Sequence, residues 1–111
     1  MATVKLSQLP ETLQVKVIAS SDTNAISLVA AAAGKIVRLW GGSLVGGTSI
    51  LFASDATALS GIMATTGLQL ALPRGNPADA AYPYFESAVG ETIKVTPGAS
   101  GLNGTLYYTQ D

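Results

Sequence analysis

The chain has no cysteine and no histidine among its 111 residues. Without cysteine there is no disulfide, no thiolate nucleophile and no thiolate metal site. Without histidine the commonest general base and the commonest metal ligand are missing, and Ser/His or Cys/His nucleophile pairs are excluded. Charge is also scarce. Six basic and seven acidic residues make up 12% of the chain, where ordinary globular chains carry about 25%. The cations Lys5, Lys16, Lys35, Arg38, Arg74 and Lys94 form no basic tract, which argues against nucleic acid as a partner. No apolar run reaches the ~20 residues a membrane-spanning helix needs. Residues 56–73 are uncharged, but Thr, Ser, Gly and Gln interrupt them. Pro10, Glu11 and Lys16 break the first twenty residues, so these do not read as a signal peptide.

Apolar residues, by contrast, are plentiful: 48% of the chain, with a positive mean hydropathy. A chain this short forms one domain with a large surface for its volume. So few charges cover such a surface poorly. Other subunits are therefore expected to cover part of it. The alternative is a monomer coated with Ser, Thr and Gly.

Short apolar runs lie between frequent glycines, the spacing of a many-stranded antiparallel fold. Residues 1–12 (MATVKLSQLPET), broken by Pro10, read as an extended arm. Residues 13–20 (LQVKVIAS) alternate as a strand, with Leu13, Val15 and Val17 on one face and Gln14, Lys16 and Ile18 on the other. Residues 25–33 (AISLVAAAA) carry mixed signals. Asn24 and Gly34 bracket a possible helix and the Ala run favours one, whereas Ile26 and Leu28 against Ser27 and Val29 alternate as a strand. The reading adopted is a strand fading into a turn at residues 32–35.

Residues 35–41 form a strand with Ile36, Arg38 and Trp40 on one face and Val37 and Leu39 on the other. Residues 41–47 (GGSLVGG) are a flexible connection or a bulged strand. Further strands are expected at 48–54, 61–65, 68–72, 82–88, 91–96 and 105–110. Residues 55–61 are a loop with room for one helical turn, and 73–80 are the longest polar loop. Pro83 places its strand at an edge. Ile93 and Val95 should face inward, and Asn103 with Gly104 is a turn signal. The sum is about eight short strands, too many for one stable layer, so an all-β, two-sheet antiparallel sandwich of jelly-roll-like form is expected. It would occupy residues 13–111 behind the arm.

Chemistry-bearing motifs are few. The 41–47 stretch contains a phosphate-loop glycine spacing that continues into Thr48 without the required lysine, and it reads as a bend. Glu86 and Glu91 flank a turn and are the one carboxylate pair suited to glycoside hydrolysis, but few aromatics are present to line a sugar cleft. Asp22, Asp55 and Asp79 are single acids in separate loops, without the dense acidic spacing of a calcium site. No catalytic residue, metal site or cofactor is expected. The glycosylation sequon Asn103, Gly104, Thr105 reads as a turn. Trp40, Tyr82, Tyr84 and Tyr107 are candidate interface aromatics, because rings with polar handles favour interfaces and carbohydrate stacking. Adjacent Tyr107 and Tyr108 must face opposite sides of a strand.

Several segments recur in a familiar order: residues 30–40 (AAAAGKIVRLW), 47–54 (GTSILFAS), 58–61 (ALSG), Leu72 with Pro73, 85–91 (FESAVGE) and 104–107 (GTLY). They resemble the pattern "A-A-x-G-K-x-I-R-V", "T-x-F-x-S", "A-L-T-G", "L-P", "F-E-T-x-x-G-E" and "G-x-L-x-Y" of small β-sandwich virion accessory proteins of tailed bacteriophages. The resemblance spans roughly residues 25–110 and rests on turn and strand signatures without catalytic content. Ser60 stands where that pattern has Thr, and Leu39 with Trp40 is bulkier than usual.

The resemblance implies a non-enzymatic capsid decoration (cement) protein. Such a protein is made in the host cytoplasm, is not secreted, and sits on the capsid surface. Its partners would be the major capsid protein and itself, as a homotrimer, since cyclic association buries surplus apolar surface. The arm would add to a neighbour's sheet edge through main-chain bonds, anchored by Val4, Leu6 and Leu9. Two rivals remain: a tail or fibre module that binds a host receptor or glycan, and a carbohydrate enzyme using Glu86 and Glu91.

Overall fold

The computed structural model describes residues 13–65, 68–70 and 83–111. These residues form ten strands and no helix. In chain order they are β1 (Gln14–Ala19), β2 (Ile26–Ser27), β3 (Val37–Val45), β4 (Ser49–Ser54), β5 (Thr57–Ala58), β6 (Met63–Ala64), β7 (Gln69–Leu70), β8 (Phe85–Glu86), β9 (Ile93–Pro97) and β10 (Asn103–Gln110). All pairings are antiparallel. The first sheet runs β1-β10-β3-β7, with β8 also on β3. The second runs β2-β9-β4-β5, with β6 also on β4. The chain is thus an all-β, two-sheet antiparallel sandwich.

Alternation decides which side of each strand is buried. Val37, Leu39 and Leu44 of β3 and Leu106 and Tyr108 of β10 line the inner face of the first sheet. Ile50 and Phe52 of β4 and Ile93 and Val95 of β9 line that of the second. Leu28 and Leu102, from connections, complete the same cluster. The Phe52 and Phe85 rings meet at 5.0 Å and 31°, one from each sheet, a separation typical of favourable aromatic pairs. Most of these residues retain no solvent contact, and burying each large side chain is worth about 1.5–3 kcal/mol.

Two glycines let the central strands of the first sheet lie close together. Gly42 of β3 and Gly104 of β10 have φ of 137° and 152°, in a region essentially reserved for glycine. A Cβ on Gly42 would lie 2.2 Å from the Thr105 carbonyl oxygen, and one on Gly104 would lie 2.1 Å from that of Ser43. The strand is therefore continuous through residues 41–45, and its irregularity is a bulge. Tyr107 faces Gly41 and Tyr108 faces Leu39, so Trp40 is the extra residue.

Several expectations are corrected in detail. The segment 55–61 holds the two-residue β5 and no helical turn. Within 25–33 the strand is confined to Ile26–Ser27 on β9, with the Leu28 N–H still reaching the Ile93 carbonyl. The strand then ends, and Lys35 N–H closes a turn on the Ala32 carbonyl. Asn103 and Gly104 are not a turn but the first residues of β10. The reversal lies at 98–102, and the glycine serves close packing. The arm at 1–12 and the loop at 73–80 lie outside the described residues.

Candidate interaction surface

Strand β1 turns the less apolar of its two faces toward the core. Its register with β10 sets Gln14, Lys16 and Ile18 opposite Tyr108, Leu106 and Gly104. That side faces the core, where Ile18 is 2% exposed. The Tyr108 hydroxyl donates to Gln14 Oε1 at 3.1 Å. Val15 and Val17 consequently point outward, 55% and 67% exposed. The reason is position. β1 pairs only with β10 among the described residues, so its core-side positions lie at the rim of the sandwich, where polar side chains reach water.

The outer face of the first sheet then consists of three cross-strand rows. They are Val15, Tyr107 and Gly41; Val17, Thr105 and Ser43; and Ala19, Asn103 and Val45. None of these residues is an acid or a base. Val45 is exposed like the two valines of β1, and Gln69 of β7 extends the middle row beside Ser43. Apolar, hydroxyl and amide side chains make up these rows, so their desolvation strands no buried charge.

The other end of the same face is closed by internal bonds. Trp40, at the bulge, is 8% exposed and donates its indole N–H to Thr109 Oγ1 at 3.0 Å, which leaves it little surface to offer a partner. Arg38 donates to Glu86 Oε2 at 2.5 Å and to Asp111 Oδ1 at 2.7 Å. The hydrogen bond to Glu86, followed by the charges of Glu86 and Asp111, outweighs partial burial and holds the guanidinium pKa above its ordinary value.

The two glutamates singled out from the sequence serve separate contacts. Glu86 pairs with Arg38, whereas Glu91 Oε1 accepts from Ser54 Oγ. Ser54 Oγ also accepts the Ala88 N–H at 2.9 Å. The Ser87 hydroxyl accepts the Val37 N–H and reaches the Glu91 carbonyl at 3.0 Å. Thr92 Oγ1 donates to the Val29 carbonyl at 2.7 Å. Together these bonds pin the 87–92 turn to β3, β4 and the segment after β2. Asp22 accepts from the Asn24 N–H within its own turn, whereas Asp55 accepts from the Thr92 N–H across 37 residues of chain. No group of three or more metal-ligating side chains occurs among the described residues.

Of the remaining candidates, Tyr84 is 42% exposed, with its backbone N–H on the Leu39 carbonyl. Tyr107 is half-buried beside Val15 on the uncharged face. Val4, Leu6, Leu9 and Tyr82 lie outside the described residues. A shallow apolar recess on the second sheet is lined by Leu51, Ile62, Thr96 and Pro97. No protein-family model, curated protein or solved structure matches the chain.

Proposed function

We propose that this chain is a structural virion protein, a capsid decoration protein that clamps neighbouring subunits by burying surface and performs no chemistry. The three uncharged rows at one end of the outer face of β1, β10 and β3 carry the reading. They present three exposed valines and a half-buried tyrosine on a rigid sheet, in a chain with few charges elsewhere. The resemblance of its segments to small phage virion proteins is in keeping with the same role. A homotrimer on the major capsid protein would cover this face, with Val4, Leu6 and Leu9 of the arm as further anchors.

The test combines sedimentation at micromolar concentration with binding to expanded heads. An oligomer that binds heads, and a Val17→Glu variant that folds but does neither, is the expected result. A monomer with no affinity for heads refutes the proposal. The exposure of Tyr84 favours a second reading, a receptor- or glycan-binding tail module. Specific binding on a glycan array that Tyr84→Ala abolishes would select it.

A further inference from the structure

The side of β1 that no other described strand pairs has a polarity of its own. Ser20, just past the strand, exchanges hydrogen bonds with the β10 side: its N–H donates to the Leu102 carbonyl and its carbonyl accepts from the Gly101 N–H. Antiparallel pairing alternates residue by residue. Ile18, Lys16 and Gln14 therefore direct their main-chain groups to β10, while Val15, Val17 and Ala19 direct theirs away from it. Those outward groups meet no strand among the described residues. β1 is six residues long, regular in register and without proline. An edge of this kind is a template for another strand unless something guards it.

Lys16 is the only ionisable residue on β1, and it makes no ion pair among the described residues. On an incoming strand, the residue opposite Lys16 would fall in the pairing class with the closer side chains, about 4.5 Å between Cα atoms. That geometry selects the occupant by charge. A second copy's β1 has no acid to offer. Centred on Lys16 it opposes two lysines, and centred on Val17 it opposes Lys16 with Ile18. A strand with Asp or Glu at that position, flanked by apolar residues that continue the Val15 and Val17 face, satisfies both the ladder and the charge.

We infer that the β1 edge is a docking site for an extended strand of a partner protein of the form apolar–acidic–apolar, with its carboxylate against Lys16. The inference holds whether or not the partner is a capsid subunit. It is tested on the full chain by residue-resolved amide hydrogen exchange, with the blocked peptides Thr-Val-Glu-Val-Thr and Thr-Val-Lys-Val-Thr at millimolar concentration. In the protein alone, the Val15 and Val17 amides should exchange fast and those of Lys16 and Ile18 slowly. The Glu peptide should slow Val15 and Val17, and the Lys peptide should bind up to about fivefold more weakly, the upper end of what an exposed ion pair contributes.

Lys16→Glu should reverse the preference between the two peptides. Val17→Pro, which removes an outward N–H that β10 does not use, should abolish binding while the unfolding transition followed by Trp40 emission persists. The inference is overturned by any of four results. The Val15 and Val17 amides are already as slow as their neighbours in the protein alone. Their slowing depends on protein concentration without peptide. Neither peptide slows them. Lys16→Glu leaves the preference unchanged.

Discussion

Replacing Gly42 by alanine tests whether the two central strands of the first sheet are as close as their main-chain contacts require. The added methyl would lie 2.2 Å from the Thr105 carbonyl oxygen and 2.9 Å from both Leu106 Cα and Leu106 Cδ2. Two of these three atoms belong to the backbone of β10, which is held by β1 on its other side, so no side-chain rotation relieves the clash. Holding alanine at φ of 137° costs about 1–3 kcal/mol. Overpacking at a tight site costs about another 1–3 kcal/mol. The expected loss is therefore about 4 kcal/mol, a large part of the roughly 5–15 kcal/mol that stabilises a typical domain.

Gly34→Ala is the control. Its φ is also positive, at 77°, but nothing lies within 4 Å of the added methyl, so it should lose only about 1 kcal/mol of backbone preference. Trp40 is the single tryptophan and is buried. Its emission therefore reports urea unfolding, with the slope expected to stay constant while the midpoint shifts. Should the two variants differ by less than about 1 kcal/mol, the close approach of β3 and β10 is wrong and the reasoning from their register falls with it.

Three further outcomes follow from the side-chain bonds. Ser54→Ala removes both the acceptor for the Ala88 N–H and the donor to Glu91 at a site 3% exposed. It should lower stability by about 2 kcal/mol and speed amide exchange in the 87–92 turn. Thr109→Val keeps the shape of the side chain but leaves the Trp40 indole N–H without its acceptor. A loss of about 1–3 kcal/mol and a changed near-ultraviolet dichroism of Trp40 should result. Arg38→Met breaks the contacts to Glu86 and Asp111, whose side chains are 52% and 60% exposed. Stability should fall by less than about 1 kcal/mol, and molar salt should narrow the gap between variant and parent. Because the folded-state pKa of Arg38 is raised, its contribution is full at neutral pH and is lost only as alkaline pH rises through that value.

The sequence made the layer architecture legible through its strongest period-two segments. Ile93 and Val95 were expected inward and are fully buried, and Val37 and Leu39, sorted together onto one face of their strand, prove to be its buried face. Tyr107 and Tyr108 were expected on opposite faces, and Tyr108 is the buried one. Alternation also sorted the two faces of β1 correctly, but it carries no information about which face the core takes. Only the position of β1 at the rim decides that Ile18 goes in with Gln14 and Lys16, while Val15 and Val17 go out. The Asn103 and Gly104 pair misled for a related reason. The same glycine that permits a tight turn also permits a neighbouring strand to approach, and a local signal does not distinguish the two. Trp40 looked available to a partner because the bulge that accompanies its burial arises from pairing with a strand some 70 residues away.

The place of β10 between β1 and β3 has a consequence for how the molecule comes into being. The segment that joins the first and third strands is the last of the ten to leave the ribosome. Until residues 103–110 have been synthesised, β1 lacks its one partner among the described strands and β3 lacks its longest neighbour. Loop closure across nearly the whole chain precedes the reward of those contacts, which slows folding. The nascent protein therefore holds its valine-bearing edge open during translation, and completes its first sheet in a single late insertion.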